Sequence, residues 1–497
     1  MSQALESAIP AAAPNRQIFG QPRGLATLFL TEMWERFSFY GMRAILILFM
    51  TGTVGHGGLG LPDKIASSIY GLYLASGYWL GLAGGWVSDR LLGQQRAVIC
   101  GAVLIITGNV MLSSGSTQVF FCGLIVTVCG IGLLKPNISA IVAQLYPEGG
   151  SRRDAGFSIF YMGINIGSFL GSELVPLFAA WFGWHWGFAL PAVGMVFGLT
   201  QFLLTRRYLG TAGATRALDA ERGSWTPVII FVAAVAIIAS LAMSGTITLN
   251  ATLIAASATY VIELLAVAYF GYLLLFAGLT REERSRVYVM IALFIGGAMF
   301  WAGFEQQGAS FNLFADRYTE RHIFGWEIPA GALQGVNPFF IVVFAPVLAF
   351  VWLALGKRNR DPSSPAKFGL GLILMGAGFF VMYIASGYVL AGQKVLPFWL
   401  VLTYFCHSTG ELCLSPVGLS SMTKLAPKRF VGQVMGVWFT STALGGNLAG
   451  QLSGDYDASH LESLPTLFLK IFWWGAISGG LMLLLTPWLK KLMAGVR

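Results

Sequence analysis

Charge is what this sequence has least of. Only 11% of its 497 residues are Asp, Glu, Lys or Arg while 56% are hydrophobic, whereas a soluble domain carries about 25% charged residues. A soluble fold of this length could not hide so much apolar surface, and disorder is excluded over nearly the whole chain. The five cysteines, Cys100, Cys122, Cys129, Cys406 and Cys413, lie in apolar runs without metal-ligand spacing. They read as small packing residues, so neither a disulfide framework nor a metal site is expected. No Gly-x-x-x-x-Gly-Lys-Ser/Thr segment is present, which argues against ATP-driven work by this chain. The polar, Pro/Ala-rich start lacks the charged-then-apolar order of a cleavable signal, so the first apolar segment is expected to serve as the membrane signal. The net charge of +9 comes from short basic clusters between apolar segments. That spacing is topological and does not form the stripe a nucleic acid would need.

What the chain has is long apolar runs rich in glycine, 62 in all, which suits close helix contacts in a bilayer. Stretches of about 20 mostly apolar residues fall at 24–52, 63–88, 96–114, 118–145, 155–180, 185–208, 225–244, 251–278, 287–312, 329–355, 366–391, 396–423, 430–453 and 466–489. The fold class is therefore all-α and polytopic. With the N-terminus inside, only Lys64, Arg317, Arg321, Lys394 and Lys470 fall outside and Arg36, Arg43 and Lys135 fall within the membrane. The remaining basic residues land inside, as the positive-inside rule asks. The polar stretch 209–224 divides the chain. The expected organisation is a cytoplasmic tail (1–23), a six-helix bundle (24–208), a linker (209–224), an inserted helix pair (225–278) and a second six-helix bundle with a short tail (279–497).

Ionisable groups at bilayer depth are costly and mark pathways by default. In the first span, Glu32, Arg36, Tyr40 and Arg43 fall within about 80° of one another around the helix, with Glu35 beside them. Opposing groups come from other spans: Lys135, Glu305 and Glu411. Pairing Arg43 with Glu305 and Lys135 with Glu411 would join the two halves by ion pairs that act as gates. A rigid bundle could use apolar packing instead, so so many buried charges near one plane point to work on a substrate. Low dielectric opposes ionisation of a carboxyl and a nearby cation restores it, so Glu32, Glu35 and Glu305 can exchange a proton as their partners move. A proton is the expected coupling ion. His407 reads as packing, and Glu263, alone on a peripheral helix, as packing or a partner contact.

These residues resemble the proton-dependent oligopeptide transporter family of the major facilitator superfamily, over nearly the full length. The first-helix signature is Glu32-x-x-Glu35-Arg36-Phe37, and the superfamily's loop motif runs Gly85-Trp-Val-Ser-Asp89-Arg90-Leu-Leu-Gly93-Gln-Gln-Arg96, where Asp89 is placed to cap helix ends. Further matches are Gly132-Leu-Leu-Lys135-Pro-Asn137, Phe160-Tyr-Met-Gly-Ile-Asn165-Ile-Gly-Ser168, Trp301-Ala-Gly-Phe-Glu305-Gln-Gln and Gly410-Glu411-Leu-Cys-Leu-Ser415-Pro416. The extra helices at 225–278 look like the insertion of bacterial members.

The resemblance implies proton-coupled uptake of di- and tripeptides across the bacterial inner membrane, with both termini cytoplasmic, no cofactor and no obligate protein partner. It also implies site residues. Arg36, Tyr40 and Lys135 would receive a peptide carboxylate, Glu411 with Asn165 and Asn337 the amino end, and Ser415 would also bind substrate. Tyr73, Trp301 and Trp438 would wall side-chain pockets, and Glu32, Glu35, Arg36 and Glu305 would couple protons. The sequence departs from the family's usual pair of tyrosines at Phe39-Tyr40, which removes one hydroxyl contact. Related branches carry nitrate and other anions, so a different symporter on the same scaffold is the alternative. A channel lined by the same charges, or a membrane enzyme using paired carboxylates, are further readings.

Overall fold

The computed structural model describes residues 17, 18, 20–146, 150–214, 224–323, 325–454, 461–493 and 495. Most of the expected tail (1–16) and of the expected linker (215–223) lies outside the described residues. The first bundle comprises α1 (Arg23–Thr51), α2 (Asp63–Val87), α3 (Gln94–Leu112), α4 (Thr117–Gln144), α5 (Gly150–Phe182) and α6 (Trp184–Thr205). The inserted pair is α7 (Thr226–Met243) and α8 (Ala251–Leu275). The second bundle holds α9 (Arg281–Phe304), α10 (Ser310–Tyr318), α11 (Val336–Lys357), α12 (Ser364–Leu390), α13 (Phe398–Leu425), α14 (Val431–Ser453) and α15 (Ser463–Leu492). This is the major facilitator fold, two six-helix bundles plus two helices.

Among the described residues, nine helical stretches are long and apolar enough to cross a membrane by length and composition. The α1 helix is not one of them because its own charges, Glu32, Glu35, Arg36 and Arg43, crowd any window of membrane-spanning length. A helix excluded by its own charges is thus the one expected to line a polar interior.

Helix ends match the apolar runs to within a few residues, with one exception. The expected span 287–312 is broken: α9 stops at Phe304, a tight turn covers Glu305–Gly308, and α10 resumes at Ser310. The break places the Glu305 carboxyl at the α9 C-terminus. It also requires glycine at 308, where a Cβ would fall 1.9 Å from the Tyr70 hydroxyl.

Within the first bundle α1 packs on α5 and α6, and α3 on α4; in the second, α12 packs on α13 and α15, and α14 on α9. The bundles meet where α2 crosses α14 and α5 meets α11. The α2–α14 crossing is backbone on backbone, since a Cβ on Gly450 would lie 2.4 Å from the Ser67 carbonyl oxygen. Absence of side chains lets helices approach this closely. The α8 helix leans on α2, α9 and α14 and leaves Leu264 and Val267 exposed, the surface a bilayer would cover.

Candidate functional site

Four buried charges stand on α1: Glu32, Glu35, Arg36 and Arg43. The i, i+4 spacing puts Glu32 and Arg36 on one face, with Arg36 Nε 3.3 Å from Glu32 Oε1, and the same nitrogen donates to Glu35. Burying three ionisable groups is costly unless they satisfy one another, yet each keeps an atom in reserve. Arg36 Nη2, Glu32 Oε2 and Glu35 Oε1 are buried without a hydrogen-bond partner among the described residues. A guanidinium with one edge tied to carboxylates and another unoccupied is suited to receive an incoming carboxylate.

The Phe39 departure can now be placed. The Arg36 guanidinium sits 5.0 Å from the Phe39 ring centroid, and that ring stacks on Tyr73 at 6.0 Å. The cation–π contact needs the ring and not a hydroxyl, so phenylalanine preserves it. Tyr40 instead lies 5.5 Å from the Arg43 guanidinium.

Arg43 has partners on both bundles. Its Nη2 is 2.7 Å from Glu305 Oε2, and its Nε donates to the Tyr70 hydroxyl at 2.7 Å. This pair joins the two bundles through the α9 break. Towards the end of the molecule that carries the 52–62 loop, other bonds make the same crossing. Arg317 on α10 grips both oxygens of Asp63 on α2 at 2.7 Å each, and Asn312 donates to the Ala44 carbonyl at 2.8 Å. Gln306 ties the break to α14, donating to the Ala449 carbonyl at 3.1 Å. The structure is closed at this end.

Lys135 in α4 and Glu411 in α13 each precede a proline, Pro136 and Pro416, inside the helix. Proline there removes a backbone donor and frees a carbonyl one turn earlier. The expected ion pair between them is not formed: among the described residues, neither is within salt-bridge distance of the other. The Lys135 ammonium lies 4.5 Å from the Tyr78 ring centroid and within electrostatic reach of Arg36, Glu35 and Glu32. Glu411 faces Asn337, whose Nδ2 is 3.5 Å from Glu411 Oε2 and donates to Ser408 Oγ at 2.8 Å. The reason is the closure just described, since bundles joined through Arg43–Glu305 need not be joined again at the opposite end.

The remaining residues divide. The Tyr73 hydroxyl and the Trp301 indole N–H have no partner, and Ser415 is half-buried beside Pro416. Asn165 donates to the carbonyl of Tyr161 at 2.9 Å, a bond within its own helix. Trp438 departs from expectation. Its ring is buried against Gly297, Gly418 and Phe368, so it packs inside the second bundle and does not wall an open pocket. Spacing could not separate these two faces of α14.

In the loop motif, Asp89, Arg90 and Arg96 are exposed, and Gly85 is half-buried. Asp89 accepts a long bond from Ser88 Oγ at 3.4 Å in place of the helix cap expected of it. The start of α3 is set by Gly93 at φ 81°, a backbone conformation that suits glycine. His407 is buried among Phe304, Phe311 and Phe379, and its Nε2 lies 3.1 Å from the Met375 carbonyl. Glu263 lies on the exposed face of α8.

The sequence reading passed over Glu173 on α5. A Cβ at Gly335 would fall 2.2 Å from its Oε1, so this carboxyl presses on the N-terminus of α11 in the other bundle. The signal was available: a lone carboxylate inside an apolar run. Tyr70, the second partner of Arg43, carried no such signal.

The sequence profile of the POT family matches residues 95–469. The peptide transporter YePEPT of Yersinia enterocolitica subsp. palearctica serotype O:3 (strain YE-P4) is 43% identical over 498 residues, 96% of this chain and 96% of that protein. A di-/tripeptide transporter of Lactococcus lactis subsp. cremoris is 34% identical, covering 97% of this chain and 98% of that one. The crystal structure of a mutant of the peptide transporter POT in complex with alafosfalin superposes with a TM-score of 0.90 at 41% identity, covering 98% of each chain.

Proposed function

The chain belongs to the POT family of transporters, and we propose that it carries di- and tripeptides into a bacterial cell together with protons, by alternating access across the inner membrane. In this reading both termini are cytoplasmic, the 52–62 end faces outward, and the functional units follow the boundaries 24–208, 225–278 and 279–497. The observation that carries it is the buried Glu32–Glu35–Arg36 cluster with an unoccupied guanidinium edge. The names of YePEPT and the Lactococcus lactis protein, and that of the alafosfalin-bound peptide transporter, support peptides as the substrate class.

The chamber reads a zwitterion. Arg36 and Lys135, with Tyr40, take the carboxylate. Glu411, with Asn165, Asn337 and Ser415, takes the ammonium, and Tyr73 and Trp301 flank side chains. Fixed charges at the two ends measure backbone length while leaving the side chains free. Transport then alternates between ion pairs. With Arg43 bonded to Glu305 the outer end is shut, Lys135 and Glu411 are apart, and the chamber opens inward. Protonating Glu305 cancels the charge that holds Arg43, the outer contacts part, and Lys135 meets Glu411 to close the inner end. Glu32 and Glu35 lie beside Arg36, so a substrate carboxylate arriving there competes with theirs, which links proton loading to substrate binding.

Uptake of labelled dialanine into vesicles of the purified protein tests this. Unlabelled di- and tripeptides should compete and nitrate should not. Competition by nitrate with indifference to peptides would contradict the reading.

A further inference from the structure

A cavity of about 590 Å³ opens towards the 52–62 end, outside the central cluster, between α2, α8, α14 and α15. Both bundles and the inserted pair contribute to its walls. Lys64 on the first turn of α2 and Asn250 and Thr252 at the start of α8 supply its polar lining, and the half-buried Leu448 and Leu452 with the exposed Leu253 its apolar lining. Lys64 makes no ion pair with a described residue, whereas its neighbour Asp63 is taken by Arg317. Among the described residues no carboxylate lines the cavity, and Lys64 is the cation of its lining.

Two further observations bear on an occupant. Trp474 lines the cavity, and its indole N–H is buried without an acceptor among the described residues. The Gln451 amide is already spent on Thr259 Oγ1 at 2.6 Å and the Ala255 carbonyl at 3.2 Å, which fastens α14 to α8 and fixes the wall. A cavity lined by a lysine and by leucines, beside a helix whose outer face is apolar, matches the charged headgroup and apolar chains of a bilayer leaflet. A zwitterionic peptide finds no carboxylate here for its ammonium, and inorganic phosphate has no use for the apolar lining.

We propose that this cavity binds an anionic phospholipid, the phosphodiester at Lys64, the glycerol region near Asn250 and Thr252, and an acyl chain between Leu253, Leu448 and Trp474. Lys64 belongs to the first bundle, α14 and α15 to the second, and α8 to the insertion. A lipid seated here bridges all three and favours the closed state of the 52–62 end. The inserted pair thereby acquires a task, supplying the wall that retains the lipid. The proposal stands independently of what the central chamber carries.

Native mass spectrometry of the purified full chain tests it, with titrations of dioleoylphosphatidylglycerol, dioleoylphosphatidylcholine and inorganic phosphate. Lys64→Gln, at an exposed position, should weaken phosphatidylglycerol binding roughly fivefold, the worth of one lysine near an anionic headgroup, and leave phosphatidylcholine unchanged. Ala256→Phe, which fills the cavity and keeps the cation, should weaken both lipids. Phosphatidylglycerol bound as tightly by either variant as by the unaltered protein would overturn the site. Displacement of the lipid by inorganic phosphate would reassign it to the free anion.

Discussion

Arg36 is the residue on which the account turns, because it touches both acids of the cluster and keeps one nitrogen unoccupied. Its replacement by alanine should abolish dipeptide binding and proton-driven uptake together, read by calorimetry and by vesicle uptake. Glu32→Gln or Glu35→Gln should separate the two, since a neutral amide preserves shape and cannot cycle a proton. Exchange of labelled for unlabelled peptide across the membrane should survive in these variants while uptake driven by a pH gradient is lost. Normal gradient dependence in both would remove the carboxylates from the coupling path. Phe39→Tyr restores the hydroxyl without disturbing the ring over Arg36. One added hydrogen bond is worth about 0.5–1.5 kcal/mol, so the dissociation constant for a dipeptide should tighten by about two- to tenfold. An unchanged constant would show that no substrate or coupling group lies in reach of that position. These charges were legible in the sequence because an ionisable residue stands out in an apolar run. Their pairing was only partly so. Arg43–Glu305 could be anticipated, but whether Lys135 meets Glu411 depends on which end of the protein is closed, a property of state and not of sequence.

At the scale of elements, the break between α9 and α10 does the most, because it delivers Glu305 to Arg43 and sets Gln306 against α14. The Glu-Gln-Gln-Gly segment lies within a stretch whose apolar content reads as one continuous span, which is why the break escaped the sequence. Removing the carboxyl with Glu305→Ala leaves Arg43 buried without its counter-charge, a cost of roughly 3–5 kcal/mol to the closed state. Spin labels at the exposed positions Val54 and Leu396 should therefore move apart in this variant. A distance distribution matching that of the unaltered protein would contradict the gating assignment. The α2–α14 crossing is the second element that matters. Gly71→Leu would force a side chain to within about 3.0 Å of Gly450 Cα, so the outer end should fail to close and uptake should fall while the dipeptide still binds. Loss of binding along with uptake would place the effect in the chamber instead. The other helix boundaries were readable because apolar length alone sets them. Trp438 was not, because an indole on α14 meets either the chamber or its own bundle, and periodicity alone does not choose.

At the scale of the whole molecule, the proposed function makes of two bundles joined at one end, with Lys135 and Glu411 out of salt-bridge reach of each other, a device with two exclusive sets of contacts. The two-bundle plan was legible from the count of spans, the 209–224 interruption and the distribution of basic residues. The closed end was not, since it is held by bonds such as Arg317 to Asp63 between segments far apart in the chain. The central claim is that a proton decides which contacts form, so that peptide moves uphill only when protons move downhill. The most direct measurement is accumulation of labelled dialanine in vesicles of the purified protein under an imposed inward proton gradient, with internal pH recorded in the same sample. Internal peptide should rise above the external concentration as the interior acidifies in proportion, and a protonophore should abolish the accumulation. Peptide that only equilibrates, at the same rate with and without the gradient, would contradict the account.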